Sequence, residues 1–355
     1  MSLFSFLKPT AKKATIMPAG ISFEVKPGQS VLEAGLSHGY AMPHSCTVGT
    51  CGSCKCRVDE GKIRELTNFA YVLEADELQS NMVLTCQTAL KSDAVFHIPN
   101  FELKQLHPPE DFEGKIVATE DLTHDTKKVV IELDRPIWFD AGQYVQIYSD
   151  EVYGGRSYSF ALPPAEDGVR NIELFIRKVP GGEFTSALFD QKLAGSAVKV
   201  HGPSGNFWLR EGRGPIICVG GGSGLAPIIS LLEQAVKKPL GRPCVMFFGA
   251  RSQADLYCLE RIEAISKAWD GAFQFIPVLS DEPADSDWNG LRGFVNTAIA
   301  SEAGQYISSD TQVYLCGPPP MIDAVSETVS ELGILENNIH ADKFLDASHG
   351  LSRAE

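Results

Sequence analysis

Four cysteines in this chain have the type and spacing of metal ligands. Cys46, Cys51 and Cys54 form a C-x4-C-x2-C run, and Cys86 follows after 31 intervening residues. Such a spacing suits a plant-type 2Fe–2S cluster, with Cys46, Cys51, Cys54 and Cys86 as its ligands. A loop carrying three thiolates must wrap around two irons and turn backbone N–H groups toward anionic sulfurs. Gly49 and Gly52 supply the positive φ angles and close approach that this needs. Structural zinc would use two C-x2-C-like pairs, and only one is present. A disulfide framework fits poorly with nine cysteines and no visible secretory signal. Cys56 follows the last loop ligand by two residues and reads as a bystander on the strand leaving the loop.

Two further constellations lie downstream. Arg156-Ser157-Tyr158-Ser159-Phe160 places a cation, an aromatic face and a hydroxyl within one strand. A flavin needs a cation for its phosphates, a flat apolar platform and a hydrogen-bond partner near its reactive nitrogen. Strand alternation puts Arg156, Tyr158 and Phe160 on one face and the serines on the other. A contact of both Tyr158 and Ser159 with one ring therefore needs a twist or the strand's end. Gly181-Gly182-Glu183-Phe184-Thr185 reads as a second phosphate site at a helix start, and His201–Phe207 as a tight turn closing this segment. After the apolar run Ile216–Val219 comes Gly220-Gly221-Gly222-Ser223-Gly224-Leu225-Ala226-Pro227, then an apolar helix. A strand, a glycine turn and a helix suit a pyrophosphate. No carboxylate ends the second strand of this region. Arg251 stands there, free to accept a ribose 2′-phosphate or to pair with Asp255. Cys316-Gly317-Pro318-Pro319 puts a thiol at the C-terminal end of a parallel strand, where sites lie in open α/β sheets. Cys218, Cys244 and Cys258 read as packing residues.

The elements that position these residues fall into three domains. Residues 1–100 read as a small β-rich domain with a hairpin over Ala14–Val25, a helix capped by Ser30 and Glu33, and a short helix near Leu73–Leu78. Residues 101–112, with Pro108-Pro109, read as a linker. Residues 113–210 hold short strands near 114–119, 127–133, 143–148, 157–161 and 171–177, which imply an antiparallel β-barrel. Residues 211–355 alternate apolar runs (215–219, 244–248, 273–279, 312–316) with helical stretches, the rhythm of a parallel sheet.

Composition excludes several roles. The net charge is −14, which disfavours nucleic acid. Residues 1–100 carry nine Lys and Arg against nine Asp and Glu, so the whole excess lies downstream. No run of about 18 apolar residues suggests a membrane span, and reduced cysteines point to the cytoplasm.

In this order the three constellations resemble the ferredoxin-NADP reductase superfamily, and in particular the reductase components of bacterial multicomponent oxygenases such as those for benzoate, phenol and methane. The resemblance covers about Ala14 to Leu345. It implies a ferredoxin domain of β-grasp (α+β) type, a barrel for FAD and an α/β domain for NADH. It further implies that Arg156 holds FAD phosphate, Tyr158 packs on the isoalloxazine and Ser159 approaches its N5. Gly181, Gly182 and Thr185 would hold the FAD pyrophosphate, and Gly222, Gly224 and Pro227 would line the NAD turn, with Cys316 near the nicotinamide. Asp342 stands where the family often has Glu, with Phe344 as the aromatic that covers the flavin; Ser159, Cys316 and Asp342 are thus the catalytic candidates. The Gly-Ala-Arg251 segment followed by Asp255-Leu256-Tyr257 resembles NADH-using members. The implied reaction runs from NADH to FAD, then in single-electron steps to the cluster and out to a terminal oxygenase or an intermediate ferredoxin. Two other readings carry the same cysteines: a reductase for deoxysugar dehydration, and a cluster-based redox sensor. No Cys-x-His pair accompanies the cysteines, so a Rieske centre is excluded.

Overall fold

The computed structural model describes residues 10–44, 47–99, 101–150 and 152–344. It divides into two compact units, Met1–Pro109 and Glu110–Glu355.

The first unit contains β1 (Lys12–Met17), β2 (Ile21–Val25), α1 (Val31–Ser37), β3 (Lys55–Glu60), β4 (Ile63–Glu65), α2 (Ala75–Gln79), β5 (Met82–Leu84), β6 (Thr88–Leu90) and β7 (Ala94–His97). Five strands pair in the order β2-β1-β7-β3-β5, and β4 pairs with β6. The β1–β2 hairpin is antiparallel, whereas β1 and β7 run parallel. The packed helix α1 begins where Ser30 Oγ accepts from the Glu33 amide at 3.1 Å, and it stops before Gly39 at φ +76°. Phe23, Val31, Met42, Phe69 and Phe96 form the core, together with Cys54, Cys56 and Cys86. The sheet and helix therefore hold two of the candidate ligands against solid packing.

The second unit opens with β8 (Glu110–Asp121), β9 (Thr126–Ile137), β10 (Tyr144–Ser149), β11 (Val152–Ser159), β12 (Val169–Arg177), α3 (Glu183–Phe189) and β13 (Ala197–Ser204). The strand β8 begins inside the stretch 101–112 read as a linker. Its six strands pair antiparallel in the order β11-β10-β13-β8-β9-β12. Phe160, just past β11, bridges to Leu174 in β12 and closes the sheet into a barrel. The stretch His201–Phe207 is a turn only in part, because His201–Ser204 completes β13. Pro203 is tolerated there because it falls in the β10–β13 bulge and beyond the last pair with β8, Gly202 with Glu110.

The chain continues through β14 (Ile216–Gly221), α4 (Leu225–Lys237), β15 (Cys244–Ala250), α5 (Leu259–Ala268), β16 (Phe273–Leu279), β17 (Leu291–Arg292), α6 (Val295–Glu302), β18 (Gln312–Gly317), α7 (Pro319–Glu331) and β19 (Ile339–Lys343). All six strands are parallel, in the order β17-β16-β15-β14-β18-β19. β14 lies between β15 and β18, so the strand order reverses there. A crevice opens beyond the C-terminal ends of such strands. None of the described helices is long and apolar enough to cross a membrane.

Candidate redox sites

The cysteine loop is built as its glycines require. Gly49 and Gly52 have φ of +83° and +75°, and Thr47 also lies in the left-handed region at +58°. A Cβ on Gly49 would stand 2.7 Å from the Gln87 side chain, which itself donates to the Thr47 carbonyl at 3.3 Å. The 3-10 turn Thr85–Gln87 is fastened to the loop by Thr85, whose amide donates to the Cys54 carbonyl at 3.1 Å. This brings Cys54 Sγ and Cys86 Sγ to 3.3 Å of each other. A disulfide would need about 2.05 Å, so these are two separate thiols close enough to share one metal ion. Both are buried, whereas Cys51 is exposed. Cys46 lies outside the described residues. The donor set and the loop fit a 2Fe–2S cluster. Cys56 is buried on β3, and burial pushes its thiol far above the usual range, as suits a packing residue.

In the barrel, Ser159 is buried at the end of β11, opposite Tyr144 of β10. Tyr158 is half-buried, with its ring 5.7 Å from that of Phe184 and tilted by 34°. Phe160 points into the barrel core and stacks on Phe139 at 3.8 Å. Tyr158 packs against the same barrel core that Phe160 enters, as alternation along the strand requires. The Arg156 guanidinium donates to the carbonyls of Tyr153, Gly154 and Gly155 at 3.1–3.3 Å. These acceptors are neutral, and among the described residues no carboxylate pairs with the guanidinium, which suits a phosphate site. Gly181 has φ +72°, and Gly182 caps α3. Thr185 Oγ1 accepts from the Val179 amide at 3.1 Å, which closes this turn. A Cβ on Gly182 would stand 2.8 Å from that hydroxyl. Cation, ring, hydroxyls and glycine turn fit a flavin dinucleotide.

At the reversal point of the parallel sheet, the glycine turn folds onto β18. A Cβ on Gly224 would lie 2.2 Å from the Cys316 carbonyl oxygen, so only glycine permits this approach. Gly222 adopts φ +54°, and its carbonyl accepts from the Tyr257 hydroxyl at 2.8 Å. Pro227 is buried in the first turn of α4, where its missing N–H costs little. A cleft of about 520 Å³ follows, walled by Gly221, Gly222, Arg251, Phe294, Pro318 and Met321 among others. Gly222 and Arg251 are on its wall, whereas Gly224, Pro227 and Cys316 do not line it.

Cys316 is fully buried, and burial with the nearby Asp342 raises its thiol well above the usual range. Asp342 is its register partner on β19. Burial pushes the Asp342 carboxyl up to about 6. The Phe344 amide donates to the Gly317 carbonyl at 2.9 Å, and its ring packs on the cluster that contains Cys316 and Ala161. Cys316, Asp342 and Phe344 therefore converge. Ser159 stands two residues before Ala161 on the barrel side.

Sequence reasoning missed part of this cleft. Thr123, Asp125, Thr126 and Arg177 come from the barrel, yet line the nucleotide cleft. Arg251 pairs with Asp255, as one of the two alternatives for it held, and also with Asp125. The segment Thr123-His124-Asp125-Thr126 reads as a polar turn, and nothing local marks it as facing a site.

Comparison with known proteins finds the same three modules in the same order. Residues 14–91 match the 2Fe-2S iron-sulfur cluster binding domain, residues 113–208 the oxidoreductase FAD-binding domain and residues 218–327 the oxidoreductase NAD-binding domain. The chain is 38% identical over 340 residues to the xylene/toluene monooxygenase electron transfer component of Pseudomonas putida, covering 96% of this chain and 95% of that one. It is 36% identical to the phenol 2-monooxygenase reductase component of a Pseudomonas species, covering 95% of each. The crystal structure of an Amycolatopsis cytochrome P450 reductase superposes with a TM-score of 0.81 at 34% identity, covering 95% of this chain and 99% of that one. The chain belongs to the family of iron–sulfur flavoprotein reductases that serve as electron-transfer components of oxygenase systems, with a 2Fe–2S, an FAD and a NAD domain in that order.

Proposed function

We propose that the chain oxidises NADH and delivers the electrons to a terminal oxygenase or to an intermediate ferredoxin. The observation that carries this reading is the cysteine loop, with Cys54 and Cys86 held 3.3 Å apart, in one chain with the flavin and dinucleotide sites. A one-electron exit and a two-electron entrance in the same polypeptide define a transformer of electron number. A bound flavin would supply the chemistry that links two-electron oxidation of NADH to one-electron reduction of an iron–sulfur cluster.

The residues take the following parts. Cys46, Cys51, Cys54 and Cys86 would ligate the cluster. Arg156, Gly181, Gly182 and Thr185 would bind the FAD phosphates. Tyr158 would offer a flat face to the ring, and the buried Ser159 hydroxyl a hydrogen bond near N5. Gly222 would receive the NADH pyrophosphate, with Gly224 and Pro227 holding the turn in shape. Phe344, Cys316 and Asp342 would order the pocket where the nicotinamide enters and keep water out of it. We divide the chain into a cluster domain 1–100, a linker that ends before β8 begins at Glu110, a flavin domain that runs to 210 and a dinucleotide domain 211–355. The ligand thiols must stay reduced before metal arrives, so we assign the cytoplasm.

An absorption spectrum of the purified protein before and after NADH tests the assignment. Flavin and iron–sulfur bands should bleach together, and intact protein lacking either chromophore refutes it. Replacing Cys51→Ser should abolish cytochrome c reduction while NADH still bleaches the flavin. Loss of both in a folded variant contradicts the order of transfer.

A further inference from the structure

Arg251 lies just past the C-terminal end of β15, on the wall of the dinucleotide cleft. In open α/β sheets this is where the adenosine ribose is recognised, and an arginine there normally accommodates a 2′-phosphate. Here its charge is already matched. Nη2 donates to Asp255 Oδ1 at 2.8 Å and to Asp125 Oδ2 at 2.9 Å. His124 Nε2 stands 3.4 Å from the same nitrogen. The two carboxylates come from different domains. Asp255 belongs to the nucleotide domain and is fixed by the amide and hydroxyl of Ser252 at 3.0 and 3.1 Å. Asp125 belongs to the barrel, in the turn between β8 and β9, where the same Oδ2 also accepts from Arg177 Nε at 2.9 Å. Both carboxylates line the cleft themselves.

We propose that Asp125, supplied by the flavin barrel, is a specificity-determining residue of the dinucleotide site: with Asp255 it engages Arg251 and excludes a ribose 2′-phosphate. A phosphomonoester carries a charge of about −1.5 to −2. To reach Arg251 it must enter beside two carboxylates that already hold its Nη2. A ribose hydroxyl is neutral and meets no such repulsion. Selectivity then comes from a repulsive element built against the wrong ligand, and half of that element lies outside the nucleotide domain.

This inference rests on the NADH reading above, and one experiment separates the two. Calorimetry on the holoprotein measures binding of ADP and of adenosine 2′,5′-bisphosphate, alongside kcat/KM for NADH and NADPH. Wild type should favour ADP by about tenfold or more, the scale of one specific charge contact. A wild type that prefers the bisphosphate and NADPH removes the NADH reading itself. With wild type behaving as expected, Asp125→Asn should narrow the ratio by about fivefold or more through tighter bisphosphate binding, with ADP affinity kept within about threefold. kcat/KM for NADPH should rise in parallel. Adding Arg251→Ala should cancel the gain. An unchanged ratio, a ratio changed only through weaker ADP binding, or a gain that survives loss of Arg251 overturns the proposal. If Asp125→Asn does not fold, Asp125→Ser removes the same charge with less bulk and carries the same test.

Discussion

The Asp342 carboxyl makes a measurable claim about pH and stability. Burial raises its pKa to about 6 in the folded chain, against about 3.9 for an unfolded aspartate. A carboxyl with a raised folded pKa binds its proton more tightly when folded. Its contribution is therefore fully present below the unfolded value and is lost as pH rises through the folded one. Two pKa units correspond to about 3 kcal/mol, and roughly 2 kcal/mol of that falls between pH about 4.5 and about 7.5. The side chain is half-buried, so solvent screening brings the expected loss to about 1–2 kcal/mol. Asp342→Asn removes the titration while keeping the shape. All four tryptophans (Trp138, Trp208, Trp269 and Trp288) lie in the second unit, so urea unfolding followed by tryptophan fluorescence reports on that unit alone. The stability of the Asn variant relative to wild type should rise by about 1–2 kcal/mol between those two pH values. A difference that stays constant, or that moves the other way, refutes the raised pKa of the carboxyl beside Cys316.

Three more outcomes follow from the packing. Gly224→Ala places a methyl 2.2 Å from a backbone oxygen that no rotamer can move, so urea denaturation should show a loss of roughly 3 kcal/mol. Cys54→Ser should yield protein whose iron and sulfide content falls to background while FAD content per chain is kept; full iron retention contradicts its role as a ligand. Arg261→Met leaves Glu173 and Glu233 facing one another, and should lower the stability of the second unit by about 2–3 kcal/mol, since all three side chains are partly exposed. An effect below about 0.5 kcal/mol would place that network among ordinary surface pairs.

The features legible in the sequence are those whose chemistry is local. The cluster ligands, the glycine turn before Leu225 and the Arg156–Ser159 strand each carry their own signature within a few residues. The two apolar runs 273–279 and 312–316 read as strands because fully buried parallel strands are continuously hydrophobic. β13 was obscured by Gly202 and Pro203, which read as a turn and are absorbed by a bulge. β19 was hidden because Ile339–Lys343 is only half-buried and polar, as befits the edge of the sheet. Asp125 stands 126 residues from Arg251 in sequence, and nothing in a polar hairpin turn tells which cleft it will face.

Arg261 bears on how freely these modules can be recombined. It stands on α5, yet donates to Glu233 on α4, to Glu173 in the barrel and to the Ala161 carbonyl at 2.8 Å. Ser230 on α4 likewise donates to the Leu162 carbonyl at 2.7 Å. A chimaera cut near residue 210 would seem to exchange a self-contained cofactor cassette. It would in fact sever Arg261 from Glu173 and leave the bend at Ala161 and Leu162, after Ser159, without its fasteners. A transplanted nucleotide domain therefore needs the barrel residues 161, 162 and 173 to be compatible with it, and the unit of inheritance in this chain is the pair of domains.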